Sequence, residues 1–271
     1  MAQINTNTSS LQGLNSLNQT QKKLTESLIK LSTGQKINSA KDDAAGFAIS
    51  QSFTSQINGL NVATRNANDG VSFVQTAEAA LGEATGALQR IRDLSLQAAN
   101  GTNTASDRVS IQKEVDQLVS QVNQIAENTT FNGKRVLGDE FSNLSFQVGA
   151  NSDESITVPG FDSRTTALGS ESADVTSISG ANAAIVSIDD ALTQIGSYRS
   201  ELGAVQNRFE STIRNLQSVS ESQQAARSRI ADTDFASEIA ERSKNLLQRQ
   251  AGIAIQAQAN AQSQSILSLL S

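Results

Sequence analysis

LQGLNSLNQTQKKLTESLIKL, residues 11–31, decides the fold. Leu17, Leu24 and Leu31 stand seven apart, and Leu14 and Leu28 each precede one of them by three, so five leucines fall on one stripe of an α-helix. Ile4 and Leu11 carry the stripe toward Met1. The other end of the chain repeats the pattern: Ile239, Leu246, Ile253 and Leu267 keep the seven-residue spacing, Asn260 breaks it, and Phe235 and Leu270 occupy the intermediate position. Both stripes are set in Ser, Gln, Asn and Ala and are too narrow for a globular core, so these residues are read as an assembly set that joins other helices.

The large aliphatic residues of residues 1–37 are Ile4, Leu11, Leu14, Leu17, Leu24, Leu28, Ile29, Leu31 and Ile37. Burying so few of them does not offset the conformational entropy of ordering the segment, which predicts termini that take shape only on assembly.

Composition narrows the function. The 271 residues are 37% hydrophobic, with nine Phe, one Tyr and no Trp, where a compact enzyme core of this length needs more rings. With no Cys and no His, zinc fingers, thiol catalysis, His-ligated haem and Ser-His-Asp triads have no residues to build on, and no catalytic, cofactor or metal site is expected. The net charge is −6 and the basic residues form no cluster, so nucleic acid is not an expected partner. No apolar run reaches membrane-spanning length, and no basic stretch followed by an apolar segment opens the chain; export by the usual cleaved signal is not expected.

Between the ends, residues 44–100 read as one long helix, with Leu60, Ala67, Val74, Leu81 and Leu88 at one heptad position and Ala63, Gly70, Ala77, Ala84, Ile91 and Ala98 at the other. Alanine and glycine at the seam let partner backbones approach, which favours a slim bundle. Asn100-Gly101 ends it. Thr104 with Asp107 reads as a capping box before a second, antiparallel helix carrying Ile111, Val115, Leu118, Val122 and Ile125. Asn132-Gly133 marks a turn, and Leu144, Phe146, Val148 against Ile156, Val158 read as one β-hairpin closed by the sole proline, Pro159. Residues 160–180 are rich in Ser, Thr, Gly and Asp and read as a short surface loop. A third long helix follows from about Ala181 to near Ser220, its seam formed by Ile188, Ile195, Leu202, Phe209 and Leu216 and interrupted by Arg199 and Gln206.

The expected fold is mainly α: a long antiparallel helical bundle or coiled coil drawn from both chain ends, with one small β-hairpin region. The expected domains are 1–43 with 225–271, and 44–224, with 160–180 as the loop. Asp42 and Asp43 are read as favouring the start of the Ala44 helix through its dipole. Glu238, Glu241 and Arg242 are read as a solvated or intersubunit face.

Local sequence adds a resemblance. LSTGQKINSAKDDAAG at 31–46, RNANDG at 65–70, QRIRDLSLQAAN at 89–100, FNG at 131–133, and the tail from Ser228 through Asp232, Phe235 and Ala257-Gln258-Ala259-Asn260 to Leu270 resemble the bacterial flagellins. In that family the terminal segments pair as a coiled coil lining the inner tube of a filament, and the central helices and hairpin form the layer around it. The resemblance implies an extracellular structural subunit of the flagellar filament, exported unfolded by the flagellar type III system. Its implied partners are other flagellin copies, filament cap and hook-junction proteins, and an export chaperone. Gln89, Arg90, Leu94 and Glu114 match positions at which flagellins of some bacteria are recognised by the vertebrate flagellin-sensing Toll-like receptor. Asp93 stands where that group usually has Glu. The variable outer domains of many flagellins are replaced here by the short 160–180 segment. The alternative reading is a minor protein of the hook and filament junction, which shares similar ends.

Overall fold

One proline in 271 residues leaves little to interrupt a helix. The computed structural model describes residues 6–138 and 143–268, with side chains to residue 262. Five helices and two short hairpins appear among them: α1 (Thr8–Thr33), α2 (Ala44–Ala99), α3 (Ala105–Asn128), β1 (Thr130–Phe131), β2 (Lys134–Arg135), β3 (Leu144–Gln147), β4 (Ser155–Val158), α4 (Ile178–Ala231) and α5 (Phe235–Ser268). None of the described helices is long and apolar enough to cross a membrane.

The helix ends follow local chemistry. Asn7 caps α1 by accepting a hydrogen bond from the Ser10 amide at 3.0 Å, and Gly34, at φ 72°, closes it with its N–H on the Lys30 carbonyl. Asp43 accepts from the amides of Ala45 and Gly46 at the start of α2, at 3.1 and 3.0 Å. Asp42 instead holds the preceding turn, accepting from the amides of Ser39 and Asn38 at 2.9 and 3.1 Å. The Thr104–Asp107 capping box at α3 is present in both directions.

Two compact units divide the chain: Met1–Ser55 with Ser222–Ser271, and Gln56–Glu221. The N-terminal boundary falls inside α2 rather than at its start, because the opening turns of α2 pack with the end of α4, where Arg227 Nη1 donates to Thr54 Oγ1 at 3.4 Å. Helix α4 also runs past Ser220 to Ala231, further than its apolar seam, because helical hydrogen bonding needs no seam where nothing breaks it.

In the 56–221 unit, α3 and α4 both run antiparallel to α2. Arg90 pairs with Glu114 at 2.7 Å, and Arg92 with Asp189 at 2.6 Å, while Arg199 meets Glu78 at 3.6 Å and so fills its seam break with an ion pair. The expected seams form the core: Val74, Leu81, Leu88, Ile91, Val115, Val122, Ile188, Ile195, Leu202 and Phe209 are all buried. A Cβ on Gly70 would lie 2.5 Å from the Phe209 ring, so the small seam position exists to admit that ring.

Where one hairpin is expected there are two. The β1–β2 pair closes around Asn132-Gly133, both at positive φ, and β3–β4 pairs Leu144 with Val158 and Phe146 with Ile156. Phe73 packs edge-on to Phe131 at 5.7 Å, tying the first hairpin to α2, and Phe146 packs edge-on to Phe209 at 5.6 Å, tying the second to α4.

The surface-loop reading of 160–180 is corrected: Phe161, Ser163, Thr165, Leu168, Ser170, Ala173 and Val175 are buried, and residues 178–180 already belong to α4. Helix α3 supplies the backbone partners that let so polar a segment go inside. Asn123 Oδ1 accepts from the Thr165 amide at 2.9 Å, and Gln112 accepts from the Val175 amide at 2.6 Å and donates to the Ala173 carbonyl at 3.0 Å.

Candidate assembly surface

The unit that holds both chain ends is built on an antiparallel pair, α1 against α5. Its alignment is fixed at several rungs. Asn7 Nδ2 donates to the Ala259 carbonyl at 3.0 Å, Ser10 Oγ donates to Asn260 Oδ1 at 2.9 Å, and Gln256 Nε2 donates to Ser10 Oγ. A Cβ added at Gly252 would lie 3.5 Å from Leu17, and Ser27 Oγ donates to Glu238, which Lys30 also approaches at 3.9 Å. Beyond the helices, the Gly34–Ile37 segment pairs with the end of α4: Lys36 donates to the Ala231 carbonyl and Thr233 to the Gly34 carbonyl.

The covered face of α1 is Ser10, Gly13, Leu17, Thr20, Leu24, Ser27 and Leu31, a heptad of alternating three- and four-residue steps that is half polar. Helix α5 meets it with Glu238, Arg242, Asn245, Arg249, Gly252, Gln256 and Ala259, the same stepping with scarcely an apolar side chain. Asn245 is almost fully buried, and Arg242 Nε, Arg249 Nε and Gln256 Oε1 are buried without a hydrogen-bond partner. The reading of Glu238, Glu241 and Arg242 as one outer face is therefore corrected. Glu238 and Arg242 face α1, because the helical period that turns Ile239 outward turns them inward; Glu241 alone is exposed, 3.4 Å from Lys244.

The apolar residues of the assembly set divide accordingly. Leu17, Leu24, Leu31 and Leu246 are wholly or partly covered by the pair. Leu11, Leu14 and Leu28 on α1 and Phe235, Ile239 and Ile253 on α5 are exposed, Leu14 at 46% and Ile239 at 52%. Ile29, Leu247 and Ile255, which lie off the stripes, are exposed as well. Ile4 and Leu270, and the side chain of Leu267, lie outside the described residues. A helix pair left in water buries its apolar side and wets its charges. On α5 the polarity is reversed, and its exposed apolar side chains have no cover within the described chain.

The four positions matched to receptor recognition are not one surface. Gln89, Arg90 and Glu114 are exposed, and Arg90 donates through Nε and Nη2 to Glu114 Oε1. Leu94 is only 2% exposed and belongs to the core of its unit, on the heptad face of α2 that packs inward.

Long helices paired from the two chain ends, with apolar rows left exposed along them, define a structural protein rather than a pocket-bearing one. Residues 4–142 match the bacterial flagellin N-terminal helical region and residues 185–270 the C-terminal helical region. The chain is 45% identical over 262 residues to a flagellin of Halalkalibacterium halodurans, covering 95% of this chain and 94% of the relative. It is 41% identical over 301 residues to a flagellin of Bacillus subtilis, covering 98% and 99%. Among solved structures, Bacillus cereus flagellin superposes with a TM-score of 0.52 at 32% identity, covering 56% of this chain and 88% of that one. The chain belongs to the bacterial flagellins. It is a structural subunit that polymerises with its own copies into the extracellular flagellar filament, and it is not an enzyme.

Proposed function

We propose that the exposed rows Leu11, Leu14 and Leu28 on α1 and Phe235, Ile239 and Ile253 on α5 are the surfaces sister subunits bury in the filament. Leu17, Leu24, Leu31 and Leu246 serve the α1–α5 pair. Residues 1–43 and 225–271 line the inner tube on this reading, and 44–224 form the layer outside it. The observation that carries it is the reversed polarity of α5, since exposed apolar rows are stable in water only against a partner. Contacts of this kind that do not close into a ring propagate as a helix.

Export as an unfolded chain through the flagellar type III channel, with a chaperone shielding the same rows beforehand, fits ends that cannot bury their apolar face alone. Filament cap and hook-junction proteins, which stand at the two ends of the polymer, would meet the same surfaces. Receptor recognition on this reading rests on Gln89, Arg90 and Glu114, with Leu94 on the same helix as the first two. The alternative, a minor junction protein, is separated by abundance: mass spectrometry of purified filaments finds this chain as the bulk component for the filament subunit and at trace level for the junction protein.

The assembly surface is tested with Leu14→Ser and Ile239→Ser in one full-length chain. Both side chains are already about half covered, so each change removes about half of the 1.5–3 kcal/mol of a full burial, and together they raise the critical concentration for polymerisation by about tenfold or more, read by sedimentation. Polymerisation at the unaltered concentration would reject the assignment of these rows.

A further inference from the structure

We propose that the polar rungs between α1 and α5 are the determinants that set the register of this pair, and so fix where the outward apolar rows lie; the inference rests on the assembly surface proposed above. A seam of leucines repeats every seven residues and is nearly indifferent to a one-heptad slip, because each step returns a similar side chain to a similar hole. The α1 seam offers Leu17, Leu24 and Leu31 at that interval, so its apolar part alone cannot choose among alignments. The polar rungs can. Ser27 donates to Glu238 near one end of the pair and Ser10 bonds Asn260 and Gln256 near the other, with Asn245 buried between them. A slip by seven residues carries Ser27 away from Glu238 and Ser10 away from both its partners, and leaves buried polar atoms unpaired, which a low-dielectric seam penalises. The same slip moves Leu14 and Leu28 by one heptad relative to Ile239 and Ile253, so the rows of neighbouring copies no longer match. The weakness of the seam, with Arg242 Nε, Arg249 Nε and Gln256 Oε1 left unpartnered, is the cost of that selectivity.

The chain has no cysteine, so one engineered pair reports one register. Leu17→Cys with Gly252→Cys reads the alignment described here, since a Cβ at Gly252 lies 3.5 Å from Leu17. Leu24→Cys with Gly252→Cys reads the one-heptad slip. In filaments of the otherwise unaltered chain, a short thiol cross-linker joins the first pair in preference to the second by roughly tenfold or more. In a chain that also carries Ser27→Leu, Glu238→Leu and Asn245→Leu, the preference falls to within about threefold. Asn245→Leu alone, a milder change, lowers it part way. Variants that do not polymerise are cross-linked as dilute full-length chain in concentrated sucrose, which favours burial. A preference of tenfold retained by the triple variant overturns the proposal, and so does failure of both pairs to cross-link in the unaltered seam. If the Leu14→Ser, Ile239→Ser chain polymerises normally while the cross-linking preference behaves as described, the assembly surface is wrong and the register assignment stands.

Discussion

Single residues in the 56–221 unit illustrate how little freedom its seams hold. Gly70→Ala places a methyl 2.5 Å from the Phe209 ring in a packed core, and overpacking of this kind costs about 1–3 kcal/mol, measurable by denaturant unfolding of the unit. Gly82→Ala, on the same helix with open space around it, is expected to raise stability by up to about 1 kcal/mol through helix propensity. The contrast was half legible: the heptad marks Gly70 as a seam position, whereas the ring that fills the space comes from the far helix. Arg108 was not legible at all. Its guanidinium bonds the carbonyls of Ala98 and Asn100 at 2.9 and 3.1 Å, satisfying the C-terminal end of α2, and no spacing rule links a basic residue on one helix to the frayed carbonyls of another. Asp162 is held below the usual carboxylate range, chiefly by the bidentate hydrogen bonds from Arg164. A carboxyl whose folded pKa is depressed stabilises the fold above its unfolded value, roughly 3.9, and loses that contribution as pH falls through the folded value. Asp162→Asn is therefore expected to flatten the loss of stability below about pH 4, seen by comparing unfolding midpoints at neutral and acid pH.

At the level of elements, capping and turn chemistry carried over directly, because they depend on residues close in sequence. The Thr104–Asp107 box opens α3 where the spacing predicts it, and Thr104→Ala is expected to cost about 1 kcal/mol, read from the thermal midpoint. The long seams were also legible, since a seven-residue repeat of apolar side chains marks one face of a helix for burial. Two elements escaped. The β1–β2 hairpin has only two residues in each strand, too few for alternation to register, and it showed in the sequence as a bare Asn-Gly turn. The 160–180 segment was misread because polar composition signals solvent only when nothing inside can bond its backbone; Asn123 and Gln112 on α3 do so. Replacing Gln112 with Leu removes both bonds to that segment and is expected to speed amide hydrogen exchange at Val175 without unfolding α3.

For the whole molecule, the decisive property is that α5, in the unit holding both termini, turns polar side chains toward α1 and apolar ones outward. In dilute solution, amides of α1 and α5 are expected to exchange within the dead time of a hydrogen-exchange experiment, and to become protected in the filament, while α2 and α4 within the 56–221 unit are protected in both. Slow exchange of α1 and α5 in the free subunit would contradict this. Deletion of 253–271 is expected to abolish polymerisation and leave the 56–221 unit folded, as judged by its unfolding midpoint. The sequence by itself determined the helices, the pairing of the two chain ends, the absence of His and Cys chemistry and the membership of the flagellins, because heptads, caps and collinear motifs are properties of neighbouring residues. Only the tertiary structure decided which of two heptad faces on α5 turns inward. A helix carries both faces at once, and the choice between them lies in which α5 side chains meet Ser10 and Ser27 on α1, a matter of register between segments more than two hundred residues apart.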